Sequence, residues 1–285
     1  MGQVLINSLI NGSFYALSAM SFNLLLGTTK FFDVAHGARA LLSAYIVLFF
    51  LTTFHLPVLW SIILGFSAAV FLSLLTERFI YRPLQDKKAS NLVLLVTSFG
   101  VFFAIQSLLG IFFSGQFQTL SAGRFSETLT GPLGTITYLQ LLFTMIVPIT
   151  FILLTAFMKN TSLGKAIRAI GDNEEVAGIA GIDTKKIILF VFAITSAMAA
   201  GAAIFDLFDV GIDLSLGFKI ILKTIIAAII GGAGNVAGGV VGGYILGGAE
   251  NLAAWHLGSE WQDAVAFLIL IIFLVVRPRG IFGKK

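Results

Sequence analysis

The 285-residue chain contains no cysteine. That excludes a disulfide framework, a thiolate metal site and a cysteine nucleophile. Charge is also scarce. Only 11% of the residues are Asp, Glu, Lys or Arg, against about 25% in a water-soluble domain. No Lys or Arg precedes Lys30. A cleaved secretory signal needs a basic n-region, so the first apolar stretch reads as a retained span. A GxxxxGK[ST] loop is missing too, because Gly164-Lys165 is followed by Ala166 and the position five before Gly164 is Lys159. The chain therefore has no cofactor expected of its own, and any ATP that drives it is expected to be hydrolysed by partner subunits.

Apolar residues are present in abundance, at 58%, and the mean hydropathy is +0.99. These values describe an all-α polytopic membrane protein. About 20 apolar residues cross a bilayer, and on that measure helical segments fall at roughly 4–26, 34–54, 57–78, 91–113, 136–158, 187–205, 217–232, 235–254 and 262–276. This gives about eight to nine segments. The seventh and ninth, at about 16 and 15 residues, are short for full spans. They read as half-helices or as pieces merged through a re-entrant turn. The whole of 1–285 reads as one transmembrane domain.

Basic residues orient it. Lys30, Arg39, Arg78, Arg82, Lys87, Lys88, Lys159, Lys165, Arg168, Lys185, Lys186, Arg277, Arg279, Lys284 and Lys285 fall on one side of an alternating arrangement, and Arg124, Lys219 and Lys223 on the other. The positive-inside rule makes the larger group cytoplasmic. The N-terminus is then outside and the C-terminus inside, which requires an odd number of crossings, and nine meets that. Because the net charge of +4 lies in loops that topology explains, it does not point to nucleic acid. Asp206, Asp209 and Asp213 read as a solvated outer loop, since their spacing lacks the dense oxygen pattern of a calcium site.

One charged island interrupts the apolar runs, in a cytoplasmic segment over 160–184. Leu163, Ile167 and Ile170 stand at i, i+4 and i+7, which predicts a helix from Thr161 to Ile170 with one apolar face. Gly171 is expected to end it in a left-handed turn. Asp172 precedes Glu175 by three residues, a spacing that restarts a helix. Two short amphipathic helices at an elbow would form a handle for a soluble partner, with Gly164, Arg168, Glu174, Ala177 and Gly181 on it. A solvated loop is the alternative.

Glycines concentrate late in the chain. Gly234, Gly238 and Gly242 repeat at i, i+4, and so do Gly239, Gly243 and Gly247. Small residues so spaced let helices approach closely in lipid. The Gly231-Gly232 to Asn235 stretch reads as a break between two helices. Early in the chain, Asp33, His36 and Arg39 stand at i, i+3 and i+6 beside Gly37. An isolated charge at bilayer centre costs on the order of 2.5–3.5 kcal/mol, so these residues belong at the cytoplasmic edge or paired with one another. No second His or Cys ligand lies near His36, so no metal is expected there. Lys223 lies about six residues inside the outer end of its helix and Glu250 about four inside the next, or roughly 9 and 6 Å. If the helices run antiparallel the two charges pair; otherwise Lys223 snorkels to the surface alone.

Together these residues carry a resemblance. GSFYALSAMSFNLLLG, VAHG followed by AYI, the island residues Gly164, Ala166, Arg168, Ala169, Glu174, Ala177, Gly181 and Ile182, the late set Lys223, Gly231, Gly232, Gly234, Gly239, Gly242, Gly243 and Glu250, and the closing RPRGIFGKK match, nearly end to end, the LivH-type permease subunit of branched-chain amino acid ABC importers. The resemblance implies a second, similar permease, two cytoplasmic ATPases at the island and an extracytoplasmic substrate-binding protein, in the inner membrane. Two positions depart from it. The family usually has a carboxylate after AHG, where this chain has Ala38-Arg39, and Asn where it has Asp33. Family members acting on urea or short amides share the motifs. An ion-coupled secondary carrier, which tends to place ionisable groups at the midplane, fits less well because the spans are nearly free of carboxylates. An enzyme is not expected, because His55 and His256 lie near span ends and no Ser/His pair or acid dyad recurs.

Overall fold

The computed structural model of the chain describes residues 1–113, 115–120, 127–132 and 134–283. Arg124, Lys284 and Lys285, used above in assigning sidedness, lie outside the described residues. All nine apolar segments form helices. In order they are α1 (Gly2–Thr29), α2 (Ala35–Thr52), α3 (Val58–Thr76), α5 (Asn91–Phe113), α6 (Tyr138–Asn160), α9 (Thr184–Asp209), α10 (Leu216–Gly231), α11 (Val236–Leu257) and α12 (Gln262–Val276). A π-helical turn, Glu77–Tyr81, carries α3 into the short α4 (Arg82–Asp86). The island forms α7 (Ser162–Asp172) and α8 (Glu174–Ile179).

Seven helices, among the described residues, are long and apolar enough to span a bilayer. The ninth segment qualifies once the 3₁₀ turn before it is included, as Ser259–Val276. The 16-residue α10 does not qualify by itself. It joins α11 at a bend of 113°, so the count of nine independent crossings is corrected to seven spans and one bent pair. The break falls at Gly232 and Gly234, whose φ of 116° and 79° belong to the left-handed region that glycine enters without strain. Gly234 therefore sits in the turn, not in the helical stripe with Gly238 and Gly242.

One further expectation is corrected, and one small element is added. Asp206 and Asp209 are not in a loop, because α9 runs to Asp209 and the Val210 and Gly211 amides close it on the Asp206 carbonyl at 2.9 Å. A small antiparallel hairpin, β1 (Thr128–Gly131) with β2 (Gly134–Thr137), stands between α5 and α6. Its strands are only four residues each, β1 fully exposed and β2 mostly half-buried, with no apolar alternation to announce them. Gln3 on α1 holds the hairpin, accepting from the Thr135 amide at 2.8 Å and donating to the Thr135 carbonyl at 3.0 Å.

The chain divides into two compact units, each built from separated stretches. One comprises Met1–Asn23, Ser121–Leu154 and Leu222–Lys285, and the other Leu24–Leu120 and Thr155–Ile221. In the second unit α2 packs against α3, α5 and α9. Water does not drive helices together in lipid, so close approach and interhelical hydrogen bonds must hold them. Ala199, Ala200, Ala202 and Ala203 line the buried side of α9. A Cβ on Gly65 of α3 would lie 2.5 Å from Val47 and 2.8 Å from the Ser43 carbonyl of α2. Ser73 of α3 donates to the Phe192 carbonyl at 3.0 Å, and Ser196 of α9 donates back to the Ala69 carbonyl at 2.9 Å.

In the first unit α11 uses its glycines on two faces. Gly239, Gly243 and Gly247 meet Ala19, Ala16 and Gly12 of α1, while Gly238 and Gly242 meet Gly231 and Ala227 of α10. The two repeats are thus two separate helix contacts. At Gly243 a Cβ would lie 2.3 Å from the Ala16 amide nitrogen, whereas at Gly248 it would meet nothing within 4 Å. Gly243→Ala is therefore expected to destabilise the protein by about 1–3 kcal/mol through backbone displacement. Gly248→Ala should be neutral or slightly stabilising, since alanine is the better helix former. Melting temperatures of the two purified variants in detergent check this, and equal values would contradict the packing described.

Candidate functional site

Among the described residues, four places bring together polar groups on which the sequence reading turned. The first is the elbow of α7 and α8. Thr161 caps α7 by accepting from the Gly164 amide at 3.0 Å. A Cβ on Gly164 would overlap the Phe157 carbonyl oxygen at 2.4 Å, so glycine lets α7 fold back against the end of α6. Gly171 does not end the helix. The helix continues to Asp172, and glycine at 171 instead accommodates the Gly27 carbonyl, 3.0 Å from where a Cβ would stand. The restart is capped by Asn173, not Asp172. The Asn173 backbone is extended and its side chain accepts from the Val176 amide at 3.1 Å.

After α8 the Gly181 amide bonds the Gly178 carbonyl at 3.0 Å and the Ile182 amide the Ala177 carbonyl at 3.1 Å, with Gly181 at φ 86°. This pair of bonds closes the helix in a Schellman turn. Asp183 then caps α9, and the hydrogen bonds from Lys186 hold its carboxyl below the usual carboxylate range. The one apolar face expected of Leu163, Ile167 and Ile170 is divided between interior and surface. Ile167 and Ile170 are buried, as are Gly164 and Ala177, while Leu163 is exposed. The exposed surface of the elbow carries Arg168, Asp172, Glu174 and Glu175, and two apolar side chains of α8, Val176 and Ile179, 60% and 88% exposed.

The second place is in the same unit. Asp33 lies in the turn before α2, not on a helix face with His36 and Arg39. Its Oδ2 accepts from Arg39 at 2.5 Å, its Oδ1 accepts from the Tyr81 hydroxyl at 2.7 Å, and neither charged side chain reaches solvent. The Arg39 guanidinium also donates to Thr76 at 3.4 Å and sits 5.5 Å from the Phe192 ring centre. Gly37 stands one turn away, where a Cβ would lie 2.4 Å from the Gly217 carbonyl oxygen. The spacing of the charges pointed to the ion pair. Tyr81, Thr76 and Phe192 come from distant helices and had no signal in the local pattern.

The third place is the α10–α11 turn in the first unit. Asn23 of α1 donates to the Asn235 carbonyl at 2.8 Å and the Gly232 carbonyl at 3.3 Å, and accepts from the Gly234 amide at 3.0 Å. The C-terminal strap crosses the same turn. The Ile281 and Phe282 amides donate to the Ile230 and Gly231 carbonyls at 3.0 and 2.9 Å, and Asn235 donates to the Phe282 carbonyl at 3.1 Å. The last carbonyls of α10 are thus satisfied by backbone from far along the chain. Neither Asn23 nor the strap was expected in this role.

The fourth place lies in the first unit as well. Lys223 and Glu250 form an ion pair. Two partners were not anticipated: Asp263 at the start of α12 reaches Lys223 at 2.7 Å, and the Tyr15 hydroxyl donates to Glu250 at 2.6 Å. Each of the four side chains comes from a different helix, which is why sequence spacing paired only two of them.

Comparison with known proteins bears on what these places serve. Residues 4–274 match the family described as branched-chain amino acid transport system / permease component. The high-affinity branched-chain amino acid permease protein LivH of Salmonella typhimurium is 29% identical over 99% of this chain and 95% of its own length. BraD of Pseudomonas aeruginosa, described in the same terms, is 31% identical with the same coverage. A probable LivH of Methanocaldococcus jannaschii is 25% identical over 98% of this chain and 92% of its own. Among solved structures, PsaBC from Streptococcus pneumoniae in complex with Fab aligns with a TM-score of 0.55 at 14% identity, covering 97% of this chain and 92% of that one. At that identity it speaks for the fold alone.

The buried pair makes a direct prediction. Removing one partner leaves a charge without compensation, which costs about 3–5 kcal/mol. Asp33→Asn or Arg39→Met alone should sharply lower the amount of folded protein recovered from membranes, and the double variant should recover most of it. Two harmless single variants would contradict the pairing.

Proposed function

The chain belongs to the family of permease components of branched-chain amino acid transport systems, and on that premise we propose that it forms the translocation pathway for branched-chain or other neutral amino acids in an ATP-driven importer. It is a multi-pass membrane protein whose relatives are transport permeases, not enzymes. The observation that carries the proposal is the end-to-end match to permeases of this one transport class. The working assembly is this chain with a second, similar permease, two cytoplasmic ATPases that hydrolyse the ATP, and an extracytoplasmic binding protein that delivers substrate.

In that assembly the N-terminus is outside and the C-terminus cytoplasmic. Seven spans with α10 and α11 as a re-entrant pair keep the odd number of crossings that this arrangement needs. The segment 160–184 then faces the cytoplasm and couples the chain to an ATPase. Its grip comes from α8, where Val176 and Ile179 are exposed among Arg168, Asp172, Glu174 and Glu175. Burying an aliphatic side chain of this size contributes about 1.5–3 kcal/mol. The inward-facing Ile167 and Ile170 set the position of α8 instead of making the contact.

Co-purification tests this reading. Expressed with the neighbouring genes of its operon, the tagged chain should bring down an ATPase. Val176→Asp with Ile179→Asp should lose that ATPase while the permease remains folded in the membrane, whereas Ile167→Asp should reduce the permease itself. An ATPase retained at full occupancy by the double variant would show that α8 is not the grip.

A further inference from the structure

The cluster around Lys223 contains one fixed carboxylate and one replaceable one. Glu250 is enclosed, with one oxygen on Lys223 and the other accepting from Tyr15. Asp263 is different. Its side chain is 73% exposed and reaches the 14% exposed Lys223 at 2.7 Å. An ion pair with one strongly exposed partner holds only weakly, so another carboxylate at the same place competes with it on nearly equal terms. The Lys223 ammonium carries three N–H donors and has two carboxylate partners. With Asp263 standing aside, a polar face opens between a lysine and two acids.

Resting on the reading of this chain as an amino-acid permease, we propose that Lys223, Glu250 and Asp263 form a recognition site for the charged ends of a neutral amino acid, with Asp263 as a built-in stand-in for the substrate carboxylate. The α-carboxylate of the incoming molecule takes the Asp263 place on Lys223. The released Asp263 carboxylate then accepts from the α-ammonium. One lysine and two carboxylates sum to one net negative charge, and a zwitterion leaves that sum unchanged. An amino acid with an acidic side chain would raise that sum to two negative charges and is disfavoured. The site thus takes the charged ends of a neutral amino acid whatever its side chain and disfavours an acidic one, leaving further selection to the rest of the transporter. A cluster that merely clamped four helices would have no use for an exposed Asp263.

The test is leucine uptake by the complete transporter, with ATP enclosed and binding protein saturating, in vesicles of phosphatidylcholine and phosphatidylglycerol. Asp263→Asn should slow initial uptake about tenfold or more, the size of one lost charge-assisted contact. Asp263→Glu should retain most of the rate, and neither variant should change the melting temperature of the purified complex. Asp263→Asn at the wild-type rate overturns the site, and so does a loss of uptake matched by a loss of thermal stability. The other zwitterion with access to a membrane edge is the phosphatidylethanolamine headgroup, so the series is repeated with that lipid added. A deficit seen only in its presence would assign the site to the lipid and overturn it as a substrate site. A wild-type complex that imports no neutral amino acid overturns the permease reading and this site with it. A wild-type importer whose Asp263→Asn form is equally fast overturns the site alone.

Discussion

In hydrocarbon a backbone carbonyl, an amide or a charged head group finds no partner in the solvent, so each must find one in the chain. The interior of this permease is arranged around that requirement. Arg39 is fully buried and lies against Asp33, with Tyr81 and Thr76 bonded to the pair. The broken turn between α10 and α11 exposes backbone that a continuous helix would have satisfied, and Asn23 and the strap at 281–282 supply the missing partners. Lys223 is answered by Glu250 and Asp263. Tyr81 and Thr76 at the buried pair, Asn23 at the turn, and Glu250 with Asp263 at Lys223 all come from elements other than the group they answer, so these polar groups fix which elements must meet.

Apolar attraction between helices is weak where lipid is just as apolar, and small residues replace it. The paired stripes of α11 place glycine backbone against Ala16 and Gly12 on one side and against Ala227 and Gly231 on the other. The elbow follows a different logic because it meets water. There, side-chain caps at Thr161, Asn173 and Asp183 order three successive helix starts within about 25 residues of chain, each satisfying amides at a helix N-terminus. Order on the water side, together with an apolar pair left uncovered on α8, is what a machine needs if force is to pass between a membrane subunit and a soluble one.

Much of the fold was legible in the sequence because a membrane span announces itself by length and hydropathy alone. All nine helical segments, the break after Gly231 and the elbow could be read from local pattern. The elbow's details could not. Whether Asp172 or Asn173 caps α8 depends on a backbone angle that favours neither in advance, and Gly171 proved to serve a neighbour's carbonyl instead of a helix end. The apolar period of α7 was visible, but not that its Ile167 and Ile170 turn toward the chain's own core. Charge pairs within one stretch or across one turn could be foreseen, as with Asp33 and Arg39 or Lys223 and Glu250. Partners such as Tyr81, Asp263 and Asn23 could not, because only the packed structure brings their helices together.

In the proposed importer this chain passes neutral amino acids inward under the drive of ATP hydrolysed elsewhere. The most direct measurement is accumulation of labelled leucine in sealed vesicles carrying the reconstituted complex and its binding protein, with ATP or a non-hydrolysable analogue on the cytoplasmic side and ion gradients collapsed. The account predicts accumulation above the external concentration with ATP and none with the analogue. Accumulation that persists without hydrolysable ATP and follows an imposed ion gradient would contradict it.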